Sequence, residues 1–392
     1  MFIPGRIEVL GKHTDYCGGR SIVCAIDRGF HADVAPRTVP RIEIENQDTG
    51  ERLSIDPANP QTRTGHWTNY AAEVLRRLGA NFPARVSRGC TLRFRSDLPR
   101  AAGLSSSSAL MIMIFAALDT SNDLRSTAEY RENIYDDIDL AEYLGCVENG
   151  QSYRGLAGSA GVGTFGGSQD HAAILLGERD MLSRFAFSPL RHEPDIPFPK
   201  NLTFVVASSG VAAEKTGTAL EKYNRVSRMV SAITTSFGGG TLASIIDEKG
   251  VDSVRERIRT RKFEFSTDEI LDRVEQFRVE SYEIIPKVSD LLASGNYKNI
   301  GELIDLSQQN AERMLGYQIE ETTFLQRSAR ELGAIAASAF GAGFGGSVYA
   351  IVPIDDAEAF KSKWRAKYLN RFPQHSQSSE FFTTRPSKIV LG

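Results

Sequence analysis

The stretch Arg100-Ala101-Ala102-Gly103-Leu104-Ser105-Ser106-Ser107-Ser108-Ala109-Leu110-Met111-Ile112-Met113 decides how this chain is read. A strand-like run, Cys90 to Arg95, precedes it, and Pro99 and Gly103 turn the chain. Four serines follow, and an apolar helix starts at once, over roughly Ser108 to Leu118. Serine caps helix N-termini because its short side chain accepts from the first unpaired N–H groups. Four in succession exceed what a cap requires. A helix N-terminus carries partial positive charge and free N–H groups, so it holds phosphate well. Hydroxyls beside it reach phosphate oxygens or a phosphate-bound Mg²⁺. The same letters also describe a capped helix after a polar loop. The Gly-Lys-Ser/Thr ending of a Walker A loop is missing, which argues against a P-loop nucleotidase.

The chain start adds a second dense stretch, Pro4-Gly5-Arg6-Ile7-Glu8-Val9-Leu10-Gly11-Lys12-His13-Thr14-Asp15-Tyr16-Cys17-Gly18-Gly19. Arg6 to Leu10 alternates like a half-buried strand. Gly11 ends it. A tight loop then packs Lys12, His13 and Asp15 together, closed by two glycines that fix the backbone. Such a loop fills a core badly. It grips a hydroxylated ligand well, because each OH needs a donor and an acceptor. A solvated hairpin turn is the competing reading. Ser21 to Ile26 and Phe30 to Ala35 read as strands, and Arg41 to Ile55 as two more joined at Asp48-Thr49-Gly50. A helix opens at His66-Trp67 and runs through Leu78, where Gly79 stops it.

Helices fill Ser126 to Gly150, starting near Thr127 and again near Asp137. The glycine-rich segment 155–167 reads as a loop. It leads into Gly166-Gly167-Ser168-Gln169-Asp170-His171. Asp170 is the candidate catalytic carboxylate: bare glycine backbone lets a ligand approach, and an acid there sits beside an attacking hydroxyl. An Asp N-cap is the alternative.

Leu182–Ser188 and Leu202–Ala207 read as strands. The helix Glu214 to Phe237 contains Tyr223. Leu242 to Leu292, Lys298 to Leu315 and Thr322 to Leu332 are helical in period. Then Phe340-Gly341-Ala342-Gly343-Phe344-Gly345-Gly346-Ser347 precedes a strand, Val348–Val352. A helix, Ala357–Tyr368, and a last strand, Phe381–Val390, close the chain. Gly341-x-Gly343-x-x-Gly346 matches a dinucleotide fingerprint in letters alone. That fingerprint needs strand, glycines, helix, and here the order is helix, glycines, strand. A loop whose bare backbone lies against another element or a phosphate fits better.

Composition narrows the class. The 392 residues suffice for two domains or one large α/β unit. A formal charge of -3 gives no general pull toward nucleic acid or anionic membrane. The basic runs Arg255–Lys262 and Lys361–Arg371 read as solvated helix faces. The four cysteines show no CxxC spacing, so they read as free thiols in a reducing compartment. No signal-peptide core and no membrane-length apolar run stands out. The expectation is a soluble, cytoplasmic protein, a monomer or weak homodimer, with no nucleic-acid or membrane partner.

Three glycine-bearing motifs thus stand in order: the N-terminal loop, the serine loop and the C-terminal glycine loop. The arrangement resembles the GHMP kinases. Pro-Gly-Arg-x-x-x-x-Gly-x-His-Thr-Asp-Tyr-x-Gly-Gly is similar to the galactokinase signature, and the resemblance covers nearly the whole chain. It implies an α+β protein with two lobes: a mixed-sheet N-terminal lobe, 1–195, and a C-terminal lobe, 196–392, with helices over an antiparallel sheet. The boundary is expected near Pro194–Leu202. It implies transfer of a phosphoryl group from MgATP to the anomeric hydroxyl of galactose or a related sugar, in the cleft between the lobes. By position, Asp170 and Arg6 take the catalytic roles. Lys12, His13, Asp15, Gly167 and Tyr223 fall on sugar-contacting positions. Gly103, Leu104, Ser105, Ser106, Ser107 and Ser108, with Gly343, Gly345 and Gly346, fall on the ATP loops. Ser107 and Glu148 fall where Mg²⁺ is held.

Four departures bear on the substrate. Galactokinases have Glu where this chain has Lys12, and that glutamate approaches the sugar's C6 hydroxyl. A donor-only ammonium reverses the demand, which makes a uronic acid such as galacturonate an alternative acceptor. Glu8 and Cys17 each replace the usual Asn, and Ser168-Gln169 replaces the usual Ile-Met. Outside catalysis, a silent sugar and ATP sensor is the competing class, and an NAD-linked enzyme rests only on the misordered glycines.

Overall fold

The computed structural model describes residues 1–56, 67–83, 88–213, 217–341, 343 and 345–391, and only the backbone of 217–223. Two sheets organise it. The first has seven strands: β1 (Phe2–Leu10), β2 (Arg20–Pro36), β3 (Ile42–Asn46), β4 (Glu51–Ile55), β5 (Cys90–Ser96), β6 (Met181–Ala186) and β7 (Arg191–Pro197). Their order is β4-β3-β5-β2-β6-β7, with β1 paired to β2 off that path. The sheet is mixed, since β3 and β5 run parallel while the other pairs are antiparallel. The second sheet has four strands, β8 (Leu202–Ser208), β9 (Ala336–Ala339), β10 (Ser347–Pro353) and β11 (Glu380–Thr384), in the antiparallel order β11-β8-β10-β9. The fold is α+β.

The helix Ser106–Asn122 lies across β1 and β2 and is apolar on almost every face, with Ala109 to Leu118 all buried. A helix without a polar side belongs in an interior. The sheets share that interior. Alternation along β8 sends Phe204 and Val206 into the same core as Ile7, Ile22 and Leu182. Val205 and Ala207 face the other way, into a layer built with Leu325, Trp364 and Tyr368 from the helices Glu320–Glu331 and Ala357–Arg371. A third cluster joins Cys17 of the N-terminal loop to Phe277 and Ile233 of the helices Thr267–Val279 and Gly217–Ser236.

Several expectations are corrected. Ser21–Ile26 and Phe30–Ala35 belong to one long strand, β2. The register of β1 on β2 slips between Pro4 and Arg6, so the intervening residues bend the ladder without breaking it. Gly79 does not stop its helix, which runs Thr68–Asn81, because Leu78 and Phe82 carry the packing past it. The His66 start of that helix lies outside the described residues, as do 214–216 at the start of the helix expected from Glu214. The strand β7 was not expected. It carries the first sheet to Pro197, and the second begins at Leu202.

Candidate active site

A cavity of about 650 Å³ opens between the sheets, and most of the expected site residues line it. Strand β1 sets the floor. Its period of two puts Arg6 and Glu8 on one face. The Arg6 Nε donates to Asp170 Oδ1 at 2.7 Å, and its Nη1 donates to the Gly103 carbonyl at 2.6 Å. One guanidinium therefore joins the first strand, the serine loop and the helix Gln169–Leu176. The Arg6 backbone N–H also donates to the Leu104 carbonyl at 3.1 Å. Asp170 sits in the first turn of its helix, and Ser168 occupies the N-cap. The carboxylate is thus aimed at the cavity and the arginine, not used as a cap.

The serine loop ends in an unusual cap. Ser105 takes a left-handed conformation with φ +59° and makes no side-chain cap bond. Its hydroxyl oxygen is buried without a hydrogen-bond partner among the described residues. Such an orphan costs stability unless something satisfies it. The first turn of the helix Ser106–Asn122 therefore faces the cavity uncapped, with Ser106, Ser107 and Ser108 beside it. An anion is the natural complement.

Glu148, expected with Ser107 where Mg²⁺ is held, lines the same cavity and bonds the neighbouring serine. The Ser108 hydroxyl donates to Glu148 Oε2 at 2.9 Å, and His171 Nε2 lies 3.5 Å from the same oxygen. Ser107 lines the cavity one residue earlier. Among the described residues no cluster of three or more His, Cys, Asp or Glu forms a closed cage. An open pair of hard oxygens fits Mg²⁺, which binds through one or two protein groups and takes its other ligands from phosphate and water.

The N-terminal loop brings His13 and Asp15 to the cavity, with Asp15 beside the segment that carries Asp170. His13 is held at φ +58°, with its Nδ1 3.0 Å from the Tyr16 hydroxyl. Gly167 packs against the Asp15 carboxylate so closely that a Cβ there would overlap it. The Asn149 side chain grips Gly166 at both its N–H and its carbonyl, which fixes that approach. Burial pushes the Asp15 carboxyl up to about 6, and repulsion from Asp170 and Glu8 adds to it against the opposing N–H bonds of Tyr16 and Gln169.

Lys12 is corrected. It does not line the cavity. Its Nζ is buried and donates to the Ser338 hydroxyl of β9 at 2.7 Å. Ser338 also donates to Gln308. Glu280 accepts from the Gly11 N–H at 2.9 Å; burial pushes its carboxyl up, and the Lys12 charge opposes that. A buried ammonium needs an acceptor and a counter-charge, and the second sheet and its helices supply both away from the sugar side. Leu104 and Gly346 also fall outside the lining. The Leu104 side chain packs in the shared core, and the Gly346 N–H donates to Val211. Gly341, Gly343 and Gly345 do line the cavity, all at positive φ. The Tyr223 side chain lies outside the described residues. Its neighbour Asn224 ties that helix to the glycine-rich loop through Gly163 and Phe165.

Sequence reasoning missed two groups. Arg273, fully buried, donates to the His13 carbonyl at 2.6 Å, and Gln276 donates to the Lys12 carbonyl at 3.2 Å, so the helix Thr267–Val279 holds the N-terminal loop. Their helical context reads as ordinary amphipathic pattern. The cavity's far end is aromatic: Trp67, Tyr70, Phe30 and Phe94 line it, with Phe94 edge-on to both Phe30 and Trp67. The Trp67 indole donates to Glu51 at 2.7 Å. The only available signal was that Trp67 is one of two tryptophans.

A serine-ringed helix N-terminus, an Arg–Asp pair and a two-sheet cleft define a small-molecule phosphotransferase, and the family models agree. The GHMP kinases N terminal domain matches residues 69–178 and GHMP kinases C terminal matches 288–370. The chain belongs to the GHMP kinases. Its first strands narrow the placement, because the galactokinase galactose-binding signature matches residues 2–36. The curated galactokinase of Pyrococcus furiosus is 26% identical over 99% of this chain and 97% of that protein. That of Exiguobacterium sibiricum is 29% identical over 92% and 86%. In structure, Lactococcus lactis galactokinase complexed with galactose superposes with a TM-score of 0.78 at 20% identity, covering 99% of this chain and 93% of that one. Methanococcus jannaschii mevalonate kinase follows the same fold at 0.62 and 15%, over 99% and 98%.

Proposed function

We propose that this chain transfers the γ-phosphoryl group of ATP to the anomeric hydroxyl of galactose or a closely similar aldose. The observation that carries this is the Arg6–Asp170 pair, set in one cavity between an uncapped serine-rich helix N-terminus and the His13–Asp15 loop. The galactokinase relatives and the matched galactose-binding signature support the choice of sugar.

Phosphoryl transfer asks a protein for positioning and charge neutralisation more than for covalent chemistry. Asp170 accepts the proton of the sugar 1-OH as that oxygen attacks the terminal phosphorus, and ADP leaves on the far side. Arg6 fixes the carboxylate and faces the charge that develops on the transferred group. The helix N-terminus and the Ser105–Ser108 hydroxyls hold phosphate oxygens, with the glycine backbone of 341, 343 and 345 opposite. Ser107, Ser108 and Glu148 are the groups that would hold Mg²⁺, which supplies positive charge to the phosphates when bound. His13, Asp15 and Gly167 orient the sugar hydroxyls. The aromatic end, with Trp67 and Phe94, receives the base.

The uronic acid alternative depended on Lys12 facing the sugar, and Lys12 is committed to Ser338. No observation favours the silent sensor or the NAD-linked enzyme. One chain builds the whole cavity, so a monomer suffices for the chemistry. Among the described residues no helix is long and apolar enough to cross a membrane, and all four cysteines are free thiols. We place the enzyme in the cytoplasm on the second of these.

The test is ADP release with galactose, ATP and Mg²⁺, with galactose 1-phosphate identified by ³¹P NMR. Turnover that falls by about 10³-fold in Asp170→Ala supports the reading. Absence of turnover by the native chain overturns it.

A further inference from the structure

We propose that Glu8 sets the charge of the sugar this site accepts: its carboxylate, on the cavity wall beside Asp170, turns away anionic sugars and restricts the acceptor to uncharged aldoses. The inference rests on the sugar-kinase reading above and names its substrate class.

The position of Glu8 is fixed from two sides. It is buried on β1, two residues after Arg6, and lines the cavity. One carboxylate oxygen accepts from the Gln169 side-chain amide at 2.7 Å, next to Asp170 in the chain. The other accepts from the Gly341 N–H at 3.2 Å, on the glycine loop. Both donors are neutral, and Glu8 forms no ion pair among the described residues. Its carboxylate oxygens keep lone pairs free for a sugar hydroxyl.

Most of the charged residues around the cavity share the sign of Glu8, with Arg6 and Arg100 the cations among them. Asp15 and Asp170 stand on the same cavity, and the fields of Glu8 and Asp170 both reach Asp15. Arg6 is engaged by Asp170 and the Gly103 carbonyl. Lys12, four residues further on, is bonded to Ser338 away from the lining. A hexuronate would bring a further carboxylate into this acidic cavity. Like charges brought together there repel strongly, while a neutral hydroxyl donates to the same oxygens.

The experiment compares galactose with galacturonate on the full chain, as kcat/KM and by equilibrium dialysis with a non-hydrolysable ATP analogue and Mg²⁺. The native protein is expected to prefer galactose by about 100-fold or more. Glu8→Gln and Glu8→Asn should each narrow that ratio by about 10-fold, mainly through the KM of galacturonate. Lys12→Met should leave the ratio where it is. Equal use of the two sugars by the native chain overturns the proposal, and so does a ratio that neither Glu8 variant moves. Dialysis separates the two readings. Galactose bound but never phosphorylated sinks the kinase reading and leaves the charge filter standing. Binding of neither sugar overturns both.

Discussion

Arg6 Nε lies 2.7 Å from Asp170 Oδ1, although 164 residues separate them in the chain. The pair is mostly shielded from water, with side-chain exposures of 6% and 20%. Charge-assisted bonds of this kind hold a carboxylate in one orientation. Asp170→Asn keeps the shape and removes the proton acceptor. Its kcat should fall by about 10³-fold with KM changed only a few-fold. Arg6→Lys should also lose kcat, because an ammonium lacks the planar pair of nitrogens that bond Asp170 and the Gly103 carbonyl in fixed directions. Steady-state kinetics on purified variants read both.

Lys12 is a structural cation. Lys12→Met strips Ser338 of a partner and Glu280 of a nearby opposite charge. Unfolding should become easier by about 1 to 3 kcal/mol, read by urea denaturation. A variant with native stability and altered sugar preference would contradict this placement.

Asp15 gives a pH signature. Its carboxyl is pushed up from 3.8 to about 6, with burial as the largest cause. The folded chain therefore binds this proton more tightly than the unfolded chain. The resulting stabilisation is full below the unfolded value and is lost as pH rises through about 6. Asp15→Asn should flatten that part of the stability curve. In the native enzyme the KM for sugar should fall as pH rises from 5 to 7, because ionised Asp15 is the better acceptor.

Gly167→Ala tests the close approach between loops. The new methyl would overlap the Asp15 carboxylate, so the carboxylate must move. A rise in sugar KM of about 10-fold is expected, with ATP KM little changed.

Ser108 and Ser107 separate by metal dependence. Ser108→Ala removes the hydroxyl that orients Glu148. The Mg²⁺ concentration for half-maximal rate should rise by about 10-fold or more. Ser107→Ala should give the smaller effect if Glu148 is the anchor of the metal corner. The opposite ranking would return the principal role to Ser107.

The three glycine motifs carried most of the site because their residue types are costly anywhere but beside a ligand. Arg6, Asp170, Asp15 and the serines converge on one cavity as the linear pattern implied. What escaped was set by contacts distant in sequence. Lys12 reads as a sugar ligand from its motif, yet Ser338 and Glu280, far along the chain, decide where it points. Strand β9 is Ala-Ala-Ser-Ala, which has no β-branched residue to announce it. It is a strand because β10 offers it a ladder and the space beside it admits only small side chains. Strand β7 carries two prolines and sits at a sheet edge, where their missing donors cost least. The aromatic end of the cavity draws Phe30, Trp67 and Phe94 from three separate elements and leaves no local spacing to read.

The shared core has a mechanical consequence. Phe204, Val206, Tyr349 and Ile351 of the second sheet are packed with the residues of the first. Swinging the halves apart would wet these side chains at about 1.5 to 3 kcal/mol each. The protein is therefore a fixed vessel and not a pair of jaws. Opening the cavity by that swing would expose this core, which ties the two sheets to one another.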